Sequence, residues 1–578
     1  MAALQPMRHS KPSRLRTLLI ASALAASALP FTPARGAAPA SVQNSARGGR
    51  AEALVAEGAA ALERGDAAAA RDSFRKALQA DPDNVDAHTY LGVLADREGN
   101  LQEAERHFAS AAALAPFSAP ARNNYGAILV RLNRLQLAAA QFEASLKLDP
   151  DQPNALVNLA QIRFNSGRPE DLRASRELFG RAMRVAPDAE VARALVVTAL
   201  RLGEKDKAAA SYRDYAALVS AVSPSSVASP PASPSPASSR PFVPSSPSAS
   251  AASRAELGEA LLEGGLDEEA TDELGAAVSL DPSNATAVIA LGRAYLKRKD
   301  IRAAGRTLES AVARGLDPAP VYAALADVYE AGGYVEHAIP AMRLAIARDP
   351  HNELYRLRYG MLLNDTKAPA AAVIRLKEAL SEFPNSSRLW LALGIAEQTE
   401  GKSEDAQRSF ERALSLDSRS APALAYLGSA YAERGQYAEA VSFYERAVAA
   451  DPNLAVPYYL AADALLKQPE VDAPRVEKYL ARAVALEPDF APAHLALAKL
   501  DVRAERWPEA AAEFERVIRL DPQSSEAHYQ LARVYVRLKK TGEAERELAA
   551  FKQLSDAQKE KRETDRRDLL RRLANVRF

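Results

Sequence analysis

Residues 51–84 read AEALVAEGAAALERGDAAAARDSFRKALQADPDN. Near its end stands Asp81-Pro82, and that pair or a close variant returns at Ala115-Pro116 and Asp149-Pro150, 34 residues apart each time. With each proline set as position 32, position 8 holds Gly58, Gly92 and Gly126, position 20 holds Ala70, Ala104 and Ala138, and position 24 holds Phe74, Phe108 and Phe142. Three independent columns agreeing over three blocks mark an internal repeat, the first feature to look for in a long chain.

The frame returns downstream at Pro282, Pro350, Pro384, Pro452, Pro488 and Pro522. Position 27 then carries Ala277, Ala311, Ala345, Ala379, Ala413, Ala447 and Ala483. A column this small means that a second helix must approach its neighbours closely, where a leucine would overpack the contact by roughly 1–3 kcal/mol. Large groups at positions 7 and 24, such as Leu393 with Phe410 or Leu427 with Tyr444, fill the space that remains.

These columns resemble the tetratricopeptide repeat, a pair of antiparallel helices with small residues at 8, 20 and 27 and proline at 32. The resemblance covers nearly all of the chain beyond residue 50. It implies an all-α superhelical solenoid in two arrays, about five repeats over residues 51–222 and about nine over 251–558. The fourth and twelfth units carry extra residues near Gly167 and Gln468, which lengthen the turn between paired helices.

Composition agrees with a helical solenoid. Hydrophobic residues make up 48% of the 578-residue chain but aromatics only 6%, so the apolar mass is mostly alanine and leucine, which lose least on entering a helix. Lys plus Arg (74) equals Asp plus Glu (74), leaving no global field to draw in nucleic acid. No cysteine is present, which removes thiol nucleophiles, thiolate metal sites and disulfides together.

The ends and the middle read differently. Arg8, Lys11, Arg14 and Arg16 precede an apolar run from Leu18 to Leu29 and then a small-residue stretch at Gly36-Ala37-Ala38. That order is a secretory signal over residues 1–38, too short in its apolar run to cross a bilayer as a permanent helix. It predicts a chain exported by a bacterium to the periplasm or beyond, with residues 39–50 disordered and no membrane span after cleavage. Residues 223–250 are almost wholly Ser, Pro and Ala and have little to bury, which reads as a semi-rigid spacer between the arrays. Residues 559–578 read as a charged capping helix that docks Leu569, Leu570 and Leu573 on the last repeat.

A reactive constellation is not legible. The seven histidines show no metal-binding spacing, and no phosphate-binding loop or nucleophile elbow is present. No catalytic residue, metal or cofactor is therefore expected. His88, His494 and His528 all fall at position 4, a helix-contact column, and are expected to be packed structural groups.

The resemblance also implies where a partner would lie, since first helices of such repeats line the concave groove with positions 2, 5, 6, 9, 12 and 13. Asn124 and Asn158 share position 6 of consecutive units, with Asn123 beside them, and an amide can donate and accept at once along an extended backbone. Lys467, Arg503 and Arg537 share position 13, and Lys499 and Arg533 share position 9, a basic stripe suited to acidic side chains or a terminal carboxylate. The expected function is a noncatalytic scaffold of the cell envelope that binds partner proteins, through peptide segments or acidic tails and not through nucleic acid. The second reading is an accessory or assembly factor in polysaccharide or pilus export.

Overall fold

A proline cannot donate to the preceding turn of a helix, so the position-32 prolines stand where one helix ends, and in most repeats a polar side chain two residues on starts the next. In the computed structural model the Asp81 backbone N–H closes helix α2 (Ala67–Ala80) onto the Ala77 carbonyl, and the Asn84 side chain accepts from Ala87 N–H to open α3 (Val85–Arg97). Ser118, Asn284, Asn352, Ser386, Ser420 and Ser524 cap later first helices in the same way.

The structure describes residues 42–221, 247–366 and 368–554. Numbered in chain order, these residues form 28 α-helices in fourteen antiparallel pairs and no strand. Most pairs turn at position 15 with a left-handed backbone: Gly65, Gly99, Gly203 and Gly435 there cost nothing, while Asn133, Lys299, Glu505 and Lys539 adopt it as non-glycine residues. The chain divides at Leu316–Asp317 into two units, each of seven helix pairs.

The core of each unit follows the columns. Position-24 side chains seat against the position-8 glycine of their own repeat: a Cβ on Gly126 would lie 2.6 Å from the Phe142 ring. The same side chains then reach forward, so that Phe74 stacks on Tyr90 at 4.6 Å and Phe410 on Tyr426 at 5.3 Å, each partner at position 6 of the next repeat. Position 4 ties repeats together by a different route. His88, Arg122, Arg356, Trp390, His494 and His528 each donate a side-chain N–H to the carbonyl of the proline that ended the preceding repeat.

Two boundaries differ from those expected. Helix α1 (Val42–Glu63) begins nine residues before Ala51, so residues 42–50, expected to be disordered, continue the first helix of the first repeat. The arrays are also not held apart. Helices α9 (Ala189–Arg201) and α10 (Lys205–Ala221) share one hydrophobic cluster with α11 (Pro247–Glu263) and α12 (Asp267–Leu280), running from Leu156 through Val197, Tyr212 and Leu257 to Leu291. A Cβ added to Gly264 would strike the Leu200 side chain, which measures how close the two pairs come. Spacer composition specifies a segment that buries little, but not how far apart its ends sit. The expected signal segment, most of the Ser/Pro/Ala segment and the capping helix lie outside the described residues.

This junction is also the most polar part of the first unit's interior. Glu273, 4% exposed, accepts from the Tyr212 hydroxyl at 3.1 Å and pairs with Arg254 at 3.1 Å. Burial pushes its carboxyl above the usual range, with Arg254 and Tyr212 opposing that push. Arg193, also buried, is held by Glu190 at 2.6 Å.

Candidate protein-binding surface

Successive first helices touch one another directly, as α17 (Glu353–Asp365) does α19 (Ser387–Thr399) and α23 (Ala455–Leu466) does α25 (Ala491–Arg503). The side on which neighbours lie closest is the inner side of a curved stack, so the first helices present the inner face. Whatever they leave exposed is what a partner meets there.

In the first unit the asparagines pair otherwise than expected. Asn158 donates to the carbonyl oxygen of Asn123 at 3.4 Å, joining α5 (Ala119–Arg131) to α7 (Pro153–Ser166). Asn123 is 2% exposed, so its carbonyl is committed to the repeat junction rather than turned toward a partner. Asn124 and Asn158 are half-buried.

The basic stripe lies in the second unit, and the structure divides it. Lys467 is bound to Asp463 one turn earlier at 2.6 Å, and Lys499 to Glu526 of the next repeat at 2.7 Å. Both charges are thereby locally neutralised. Arg503, at the end of α25, is exposed and makes no ion pair among the described residues. On α27 (Ser525–Arg537) the guanidinium of Arg533 lies 5.8 Å from the Tyr529 ring and that of Arg537 lies 5.7 Å from the Trp507 ring. Among the described residues neither meets a carboxylate, and Arg533 donates to Gln530 at 3.3 Å.

Between these arginines the helix exposes apolar surface, Tyr529 at 40% and Val536 at 61%. Tyr529, Arg533, Val536 and Arg537 are spaced by four, three and one residues, so they share one face of α27. Two cations held against aromatic rings beside an exposed apolar pair can receive carboxylates and a hydrophobic side chain together. The two apolar residues were not singled out from the sequence. Position 5 is buried or half-buried in every earlier repeat, as with Leu391 at 2%, and the apolar residues that hold position 12 in earlier repeats are covered too, as with Val502, although Glu330 at that position is exposed.

The histidines are structural in geometry. His494 and His528 are buried, each with Nδ1 on a carboxylate of its own repeat, Glu513 and Glu547, and Nε2 on a proline carbonyl. His88 instead meets His107, Nδ1 to Nδ1, at 3.0 Å. Burial holds the His107 imidazole below its ordinary value, and the His88 ring adds to this. Among the described residues no three or more metal-ligating side chains cluster, and no helix is long and apolar enough to cross a membrane.

Models of the tetratricopeptide repeat match residues 55–119, 126–171, 391–455 and 495–557, and two further models of the same repeat match 261–328 and 319–352, together more than half of the chain. The chain belongs to the tetratricopeptide-repeat proteins, an all-α fold of stacked helix pairs that serves protein–protein interaction. It is 32% identical over 163 residues to the type IV pilus assembly protein PilF of Pseudomonas aeruginosa, a match covering 28% of this chain and 64% of that relative. Among solved structures it is similar to yeast Tom70, with 14% identity, 79% of this chain and 96% of that one covered, and a TM-score of 0.40. It is also similar to the APC/C hetero-tetramer Cut9-Hcn1, with 15% identity, 91% and 96% covered, and a TM-score of 0.36.

Proposed function

We propose that this chain is a noncatalytic scaffold of a bacterial cell envelope that holds acidic, partly apolar segments of partner proteins on the inner face of its last two repeats. The observation that carries the reading is the face made by Arg503, Arg533 and Arg537 with Tyr529 and Val536. Among the described residues its cations have no carboxylate partner while the neighbouring lysines are paired. Unpaired guanidiniums beside exposed aromatic and aliphatic surface suit a carboxylate-bearing peptide with one or two apolar side chains. Export is supported by the order of charge, apolar run and small residues over 1–38.

The test is the affinity of the full chain for a peptide carrying several Asp or Glu around a Leu or Phe. The double substitution Arg533→Glu with Arg537→Glu is expected to weaken binding roughly 30-fold, about 2 kcal/mol, and the wild-type affinity is expected to fall as salt rises. Binding that is unchanged by the substitution, or equal for a peptide with its acids changed to lysine, removes the proposal.

A second reading is favoured by one observation, the likeness to a pilus assembly protein over 163 residues. Under it the partners belong to a pilus or polysaccharide export machine, and a strain lacking the chain loses that surface structure while keeping its other exported proteins.

A further inference from the structure

Positions 4 and 23 meet across the two helices of a repeat, and what fills them differs along the chain. In the last two repeats the pair is histidine with glutamate: His494 Nδ1 lies 2.5 Å from Glu513 of α26 (Trp507–Leu520), and His528 Nδ1 meets Glu547 of α28 (Thr541–Leu554). In the second repeat both positions are histidine, His88 on α3 and His107 on α4 (Leu101–Leu114), with the two Nδ1 atoms 3.0 Å apart. The Pro82 carbonyl that His88 Nε2 meets at 3.1 Å can only accept, so that nitrogen carries a proton. A neutral His88 therefore presents a bare Nδ1, which accepts from the His107 Nδ1–H. The pair keeps its bond after taking one further proton, since His88 can then donate to a bare His107 Nδ1 instead. It cannot keep the bond after two, because an N–H would face an N–H. A carboxylate in the same place sets no such limit, as it accepts from a ring that carries both protons.

We propose that the second repeat is an acid-sensitive joint of the stack, closed while His88 and His107 share a proton and opened when both rings are fully protonated. The surroundings do not offset the second charge. Arg75 of α2 and Arg106 of α4 oppose it, and Glu103, one turn before His107, favours it but is engaged by Asn100 at 2.6 Å and by Arg75 at 3.6 Å. Arg122 of α5, the next helix packed on α4, is committed to the Pro116 carbonyl and to Gln141. Burial first, then His88 and the two arginines, hold the His107 imidazole below the value of about 6.5 that it has in an unfolded chain. A base depressed in this way contributes stability that is present above that value and is lost as pH falls below it. Opening also frees the His88 ring, which holds the carbonyl of the proline that ended the first repeat.

Amide exchange of the full chain at about pH 7 and about pH 5 tests the joint, read as protection so that the intrinsic pH dependence of exchange cancels. Helices α3 and α4 are expected to lose roughly tenfold in protection at the lower pH, while α27 and α28, with their histidine on a glutamate, lose less than about twofold. His107→Glu installs the pairing of the last repeats and is expected to abolish the loss at α3 and α4. His107→Gln does the same without adding charge, as Gln141 already holds position 23 of the third repeat. The second variant keeps the test open if the first does not fold. Protection of α3 and α4 that is equal at the two pH values overturns the proposal, and so does a loss as large in the folded variants as in the wild type.

Discussion

Phe410→Ala is expected to destabilise the chain by about 3–5 kcal/mol and to unfold the repeats around it before the others. Phe410 is fully buried, stacks on Tyr426 of the following repeat at 5.3 Å, and lies against Gly394 so closely that the glycine cannot carry a Cβ without displacing the ring. Truncation therefore empties a site that two helix pairs share, and rigid neighbours collapse into it only in part. In a repeat protein each unit is stabilised by its interfaces with the next, so the loss is felt on both sides of the lesion. Denaturation followed by amide exchange should show α19 through α22 (Tyr437–Ala450) opening first. Phe117→Ala is the control, because Phe117 is 86% exposed in a turn and its removal is expected to change stability by less than about 0.5 kcal/mol.

The second large effect is expected at the junction in the first unit. Arg254→Met leaves Glu273 buried with only Tyr212 as partner, and breaking a buried ion pair from one side costs about 3–5 kcal/mol. The pH dependence identifies the cause. Burial already raises the Glu273 carboxyl above the value of about 4.3 that it has in an unfolded chain, against the pull of Arg254. A raised acid contributes stability at low pH that is lost as pH rises through its folded value. Removing Arg254 raises that value further, so the deficit should be largest near pH 7 and shrink toward pH 5. A deficit that does not vary over this range would mean that lost packing, not the orphaned carboxylate, is responsible. Tyr212 and Tyr215 sit at positions 24 and 27, where most other repeats have one large and one small residue, and this is the sequence trace of the unusual junction.

Much of the fold was legible because a repeat writes each contact many times. The proline, the position-8 glycine and the position-24 group recur often enough to give the helix pairs, their period and their core without any tertiary information. What recurs only once was not legible. Whether the two sides of 223–250 meet depends on Leu200 facing Gly264 and Tyr212 facing Glu273, contacts with no second copy in the sequence. The start of α1 at Val42 was missed because the repeat frame itself begins at Ala51.

The surface was legible by column but not by pairing. Position 13 gave Lys467, Arg503 and Arg537, and the Asp463–Lys467 pair could have been read from its spacing of four. The Lys499–Glu526 pair crosses two repeats, and the burial of Asn123 depends on its bond to Asn158, so neither follows from the spacing within one unit. Tyr529 and Val536 stand out because no described helix lies over the last repeat.

The central claim is that polypeptide docks on the inner face of the last repeats. It is tested most directly by placing a photoreactive residue at position 536, between Arg533 and Arg537, and separately at Ile374, 55% exposed on the second helix α18 (Pro369–Glu382). Irradiation with an acidic, Leu-containing peptide should crosslink it at 536 and not at 374, with the lysine-substituted peptide captured at neither. Equal capture at both positions, or capture at 374 alone, would contradict the account.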